Sequence, residues 1–189
     1  MSKKSSLIGI LVMSLSLLPV SAVNALNLSP AWYVGGGIGA SWLDPETSGS
    51  AYRITDDQDF AWHVLGGYRI NPNFSVELAY TDLGGADLQN TTSGVSAGDI
   101  SYRQTTLGVL WSPTMKPDLT WRPYLKGGVN YSDPSWDQGA LITDDWGGFA
   151  GIGIEKFLER NDFALRAEFT FYAEDAQALN FSIVKYFSD

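Results

Sequence analysis

Seven charged side chains in this sequence fall on alternate positions of otherwise apolar segments: Arg69, Glu77, Arg122, Lys126, Glu155, Arg166 and Glu168. Four are cations and three are anions, so the chemistry open to them is mutual ion pairing on one shared face. Away from water such a set is tolerable only if paired, because an uncompensated buried charge costs roughly several kcal/mol. Three other groups could do chemistry. His63, the one histidine, could act as general base beside a serine and an acid. Gly35-Gly36-Gly37-Ile38-Gly39-Ala40 matches the G-x-G-x-x-A dinucleotide fingerprint. Asp44, Glu46, Asp56, Asp57 and Asp59, and then Asp133, Asp137, Asp144 and Asp145, offer oxygen ligands for a hard divalent cation.

The surrounding residues argue against most of these. The fingerprint needs a helix directly after its glycines, and the run continues as AWYVGGGIGASW with strand character throughout. Inward glycines here, as at Gly148, Gly151 and Gly153, make room for large side chains opposite. No nucleophile motif accompanies His63, and its position in the alternation puts it on the charged face, so we read it as structural. The acidic clusters match no calcium-loop spacing and read as solvated loops, with bridging of divalent cations to an anionic surface as a looser role. The sequence thus leads us to expect no catalytic residue, no metal site and no cofactor.

The elements that would position the seven charges are strands. The stretch GGYRINPNFSVELAYTDLGG alternates strictly on both sides of Asn71-Pro72-Asn73, which is the pattern of a tight hairpin. The same alternation recurs in eight segments: 31–42, 59–70, 73–83, 100–112, 121–131, 145–157, 162–172 and 178–187. Connections alternate as well. Those at 71–73 and 158–161 are tight, 113–120 holds two prolines, and 43–58, 84–99 and 132–144 are long and polar, while 173–177 is short. Short turns at one end and long loops at the other is the arrangement of a membrane barrel. One strand face carries no mid-strand charge and includes Val34, Ile38, Val64, Val76, Leu78, Leu107, Val109, Leu125, Val129, Ile152, Ile154, Leu165 and Phe171. Trp42, Trp62 and Trp146 lie toward the long loops and Trp32, Trp111 and Trp121 toward the tight turns, as two interfacial girdles require. Trp136 belongs to neither band. The fold expected is therefore all-β: an eight-stranded antiparallel up-and-down transmembrane β-barrel, with apolar side chains outward and the charges inside.

The ends and the composition agree. Lys3 and Lys4 precede an apolar run from Leu7 to Val20, and Val23-Asn24-Ala25 offers small residues at a peptidase site, so residues 1–25 read as an export signal. Removing 25 of 189 residues leaves 164, one domain over 26–189. Two of the 12 Lys and Arg and none of the 21 Asp and Glu lie in the leader, which leaves 10 cations against 21 anions, a net charge of −11. So acidic a chain does not suit nucleic-acid phosphates. With no cysteine, neither a disulfide framework nor a thiolate metal site can form. Beyond residue 25 no apolar run reaches the roughly 20 residues of a membrane-spanning helix. Aromatic residues nevertheless make up 13% of the chain and mean hydropathy is −0.06, values suited to alternating strands.

On these residues the chain resembles the small OmpA-like eight-stranded outer-membrane barrels. GGYRINPNFSVELAYTDLGG is similar to their second hairpin, and AWYVGGGIGASW to their first strand after the leader. The departure is at the end, where such chains usually close on an aromatic residue: here Phe187 is followed by Ser188 and Asp189, and Lys185 interrupts the last alternation. The resemblance implies a bacterial, Gram-negative outer-membrane protein inserted by the outer-membrane assembly machinery, without enzymatic activity. The role expected is structural and surface-interacting, with envelope integrity or adhesion through the acidic loops. Expected partners are outer-membrane lipids, lipopolysaccharide and a surface partner, and no nucleic acid. A narrow channel or passive carrier, and a lipid-modifying enzyme, are the alternatives.

Overall fold

The structure, a computed structural model, describes residues 30–43, 52–56, 58–90, 96–113, 121–136, 145–158, 162–173 and 176–187. The expected export signal lies outside them. Nine strands are present: β1 (Ala31–Leu43), β2 (Tyr52–Asp56), β3 (Gln58–Arg69), β4 (Phe74–Asn90), β5 (Ser96–Trp111), β6 (Trp121–Trp136), β7 (Asp145–Phe157), β8 (Phe163–Tyr172) and β9 (Ala176–Phe187). All pairings are antiparallel. The long strands close in the order β1-β3-β4-β5-β6-β7-β8-β9, with β9 paired back on β1 and β4 joining β3 to β5. That is an eight-stranded barrel. The short β2 stands outside the ring and pairs only with the far end of β4.

The wall follows from period two. Each long strand alternates buried and exposed side chains, as in β9, where Val184 and Tyr186 turn in and Ile183, Lys185 and Phe187 turn out. Most outward residues are apolar and highly exposed: Trp32 is 66% exposed and Trp146 71%. Such exposure of large apolar groups is sustainable when lipid, rather than water, surrounds the wall. Lys185 does not disturb the register. Phe187 pairs with Trp32 and the ladder continues without a break to Ala176 and Leu43.

Two sequence expectations need correction. The spans 43–58 and 84–99 are not loops throughout: 52–56, 58, 84–90 and 96–99 are strand. β4 runs on to Asn90 and β5 begins at Ser96, with irregular pairing between Asp82 and Gly85 and again between Leu88 and Gln89. β6 likewise continues past residue 131 to Trp136, which pairs with Ile100. The outer rim is thus uneven, raised along β2, β4, β5 and β6, and low along β8 and β9. The second correction is Gly148, which lies on the outward side of β7 between inward Gly147 and Phe149.

Tight turns hold the opposite end. The Asn71 side chain accepts hydrogen bonds from the Asn73 and Phe74 amides, at 2.8 and 2.9 Å, closing the β3–β4 hairpin. Asn73 also donates its side-chain amide to the Ser112 carbonyl at 2.9 Å, tying this turn to the end of β5.

Candidate functional site

The candidate site is the interior of the barrel. An eight-stranded barrel is just wide enough for side chains to fill it, and here they fill it in layers. Nearest the tight turns is an apolar layer of Ala31, Tyr33, Leu65, Ala79, Phe157, Ala164, Val184 and Tyr186. Nearest the raised rim is a second, of Leu43, Ala61, Leu83, Tyr102, Phe149, Tyr172, Ala176 and Ala178. Lys126 lies against Phe149 of the second layer and Arg166 against Tyr33 of the first, while Arg69 and Arg122 are at the turn end, Arg69 in register with Ala31 and Arg122 against the Pro72 carbonyl.

All seven sequence-derived charges turn inward and are buried. Six of them form one connected set. Arg166 donates to Glu77 at 2.6 Å and to Glu155 at 3.1 Å. Lys126 lies 2.7 Å from Glu77 and 3.1 Å from Glu168. Arg122 lies 3.5 Å from Glu155 and also donates to the Pro72 carbonyl at 2.7 Å. Each carboxylate takes a tyrosine hydroxyl as well: Tyr33 on Glu77 at 3.0 Å, Tyr124 on Glu168 at 2.7 Å and Tyr186 on Glu155 at 2.6 Å. Such saturation of lone pairs is what makes buried charge affordable in a low dielectric. The seventh charge, Arg69, packs its guanidinium 4.5 Å from the Tyr186 ring centroid and 6.0 Å from that of Phe157. Glu77, three residues past the hairpin turn, draws its ion pairs from β6 and β8 across the lumen.

In the strand order, β4 and β8 are four steps apart in either direction. The Arg166–Glu77 pair therefore bridges the barrel along its diameter. Arg166 is 3% exposed and Glu77 0%, so the pair is buried inside the barrel.

Inward glycines serve this packing. A Cβ at Gly67 would run into the Tyr33 ring, one at Gly153 into the Tyr124 ring, and one at Gly108 would come 2.6 Å from the Phe149 ring. These spaces are filled by aromatic rings, two of which position hydroxyls on the carboxylates. The tyrosines are what sequence reasoning missed. Their inward parity was available, but an inward tyrosine in an alternating strand carries no mark of its partner.

His63 also faces inward, and its Nε2 lies 2.8 Å from Ser182 Oγ. Among the described residues its Nδ1 has no hydrogen-bond partner. A catalytic triad places a carboxylate there. Of the acidic rim residues, Asp59 accepts hydrogen bonds from the Phe60 amide at 2.6 Å and the Gly85 amide at 2.6 Å. No group of three or more His, Cys, Asp or Glu poised to hold a metal occurs among the described residues; most of the acidic loop positions fall outside them.

Six of the seven tryptophans form two bands. Trp32, Trp111 and Trp121 are at strand ends beside the tight turns, and Trp32 stacks on Tyr68 with centroids 4.8 Å apart. Trp42, Trp62 and Trp146 lie toward the raised rim, in ring contact with Phe169, Tyr80 and Tyr131 at 6.2, 5.8 and 5.4 Å.

Comparison with known proteins gives a consistent result. The family described as outer membrane protein beta-barrel domain matches residues 10–185. No curated protein sequence matches. Among solved structures, Neisserial surface protein A is similar at 16% identity and a TM-score of 0.60, over 82% of this chain and 97% of that one. The outer membrane protein OprG of Pseudomonas aeruginosa is similar at 14% identity and a TM-score of 0.60, over 84% and 96%. Ail, the attachment invasion locus protein of Yersinia pestis, solved with the heparin analogue sucrose octasulfate, is similar at 12% identity and a TM-score of 0.52, over 83% and 97%. Likeness at these identities concerns the fold.

Proposed function

The chain belongs to the outer membrane protein beta-barrel domain family, and from that premise we propose that it is a structural and surface-interacting barrel of a Gram-negative outer membrane, without enzymatic activity. One observation carries this reading: the Arg166–Glu77 bridge across the lumen, sealed between two apolar layers. An interior so filled has no room for solute, and the working surfaces are then the lipid-facing wall and the loops above the raised rim. Partners on this reading are outer-membrane lipids and lipopolysaccharide, the assembly machinery during insertion, and a surface partner met by the loops. The chain's charge favours cationic or cation-bridged partners over nucleic acid or other polyanions, since its Asp and Glu outnumber its Lys and Arg by 21 to 12.

The test is ion conductance of the folded protein in a planar bilayer. Silence is expected. Steady, reproducible channels would overturn the reading and put the narrow-channel alternative in its place. Membrane fractionation checks location, and recovery in the soluble periplasm would sink the whole proposal. The enzyme alternative rests on the His63–Ser182 pair alone; if lipid hydrolysis were detected and His63→Ala abolished it, that alternative would stand instead.

A further inference from the structure

The outward wall carries few charges, and their placement is uneven. Toward the raised rim, Arg103 sits in register between Asp82 on β4 and Asp133 on β6, so this cation is flanked by two acids. Toward the tight turns, the outward charges on the described strands β7 and β9 are lysines. Lys156 on β7 places its Nζ 4.8 Å from the Trp121 ring centroid. Lys185 on β9 places its Nζ 5.4 Å from the centroids of both Phe163 and Phe187. Neither is in an ion pair among the described residues, where all five ion pairs are inside the barrel. Asp162, exposed at the turn before β8, is paired with neither.

We propose that Lys156 and Lys185 bind the phosphate of anionic phospholipid, of the phosphatidylglycerol class, in the periplasmic leaflet. This rests on the membrane-barrel reading above, with the tight turns on the periplasmic side. A lysine on a lipid-facing wall lays its alkyl stem along apolar surface and carries its ammonium to the headgroup level. The aromatic rings at that level are interfacial residues and attract the ammonium without neutralising it. Among the described residues no carboxylate pairs with either ammonium, and a lipid phosphodiester supplies an anion at headgroup depth. β7 and β9 flank β8, and strands are about 4.8 Å apart, so the two ammoniums stand on one side of the barrel as a local cationic belt. The acid-flanked Arg103 offers no such site at the other interface, so the belt also distinguishes the two leaflets.

The experiment uses the full folded protein in mixed micelles of phosphatidylglycerol and phosphatidylcholine, with retained lipids counted by native mass spectrometry. Folding is first verified by heat-dependent gel migration. Wild type should retain phosphatidylglycerol preferentially, and the preference should fall about fivefold for each lysine removed in Lys156→Gln and Lys185→Gln. Lys156→Arg with Lys185→Arg should keep it. Equal retention of both lipids by wild type, or a preference unchanged in the double Gln variant, overturns the belt. A third arm replaces phosphatidylglycerol by lipopolysaccharide; preference for it through the same lysines would overturn the leaflet assignment. A chain that fails to fold in micelles sinks the membrane reading itself, whereas a folded chain with no headgroup preference sinks only the belt.

Discussion

Glu77 Oε2 accepts from both Arg166 and Tyr33, and its Oε1 lies 2.7 Å from Lys126 Nζ. Replacing it by Gln keeps the shape but leaves two buried cations short of a counter-charge. Breaking a buried pair from one side costs about 3–5 kcal/mol. Glu77→Gln should lower the unfolding free energy in micelles by about that amount, read from the urea midpoint. A loss below about 1 kcal/mol, the range of exposed ion pairs, would mean that the cations are hydrated and the lumen wet. The sequence made the inward parity of all seven charges legible, because each sits in an alternating run. It did not make the pairing legible. Arg166 and Glu77 are 89 residues apart, and only barrel closure brings β4 opposite β8. Arg69 is the cation nearest to Glu77 along the hairpin, yet the ion pairs of Glu77 come from Lys126 and Arg166, whose side chains reach across the lumen.

At the scale of the strand, Gly66 and Gly67 make a matched pair. Gly67 faces inward, where a Cβ would strike the ring and hydroxyl of Tyr33; at Gly66 the nearest atom to an added Cβ is the Tyr33 carbonyl oxygen, 3.9 Å away. Gly67→Ala should therefore displace Tyr33 from Glu77 and cost about 1–3 kcal/mol, as overpacking does. Gly66→Ala should stay within about 0.5 kcal/mol of wild type. Equal effects in denaturant unfolding would argue against the packing role of the inward glycine. The raised hairpin depends on a different glycine. Gly84 has φ of +75°, and its amide donates to Asp82 at 2.9 Å while that of Gly85 donates to Asp59 at 2.6 Å. A Cβ at Gly84 meets strained backbone and the Asp59 carboxylate together. Gly84→Ala should speed amide exchange in residues 86–100 and leave β8 and β9 protected; uniform loosening of all strands would refute a local joint. Here too the legibility had a physical limit. Asp82, Gly84 and Gly85 are turn-forming residue types, and they ended the strand in the sequence reading. In the fold they form an irregularity that the strand passes through, because Asp59 and the Ser41 hydroxyl, which donates to the Leu83 carbonyl at 2.5 Å, hold it in the ladder.

Closure of the whole molecule was legible from features that only a barrel reconciles: loops that alternate in length, two tryptophan bands and a predominantly apolar strand face. How the lumen is shut was not, because the two apolar layers draw one or two residues from nearly every strand. That layering separates two causes of closure. If charge attraction alone holds the barrel shut, neutralising it should open a path. If packing does, volume matters and charge does not. Replacing Glu77 and Glu168 by Gln, and Lys126 and Arg166 by Met, removes the bridging charges together while keeping long side chains in place, and Glu155 keeps Arg122; such joint replacement of a buried set is often close to neutral for stability. Leu43, Leu83, Tyr102, Phe149 and Tyr172 would still close the lumen on the rim side, and Tyr33, Phe157 and Tyr186 on the other. The quadruple variant is expected to fold and to remain silent in a planar bilayer. Steady current from a folded quadruple variant would show that the ion pairs are the gate and the aromatic layers yield once they are gone.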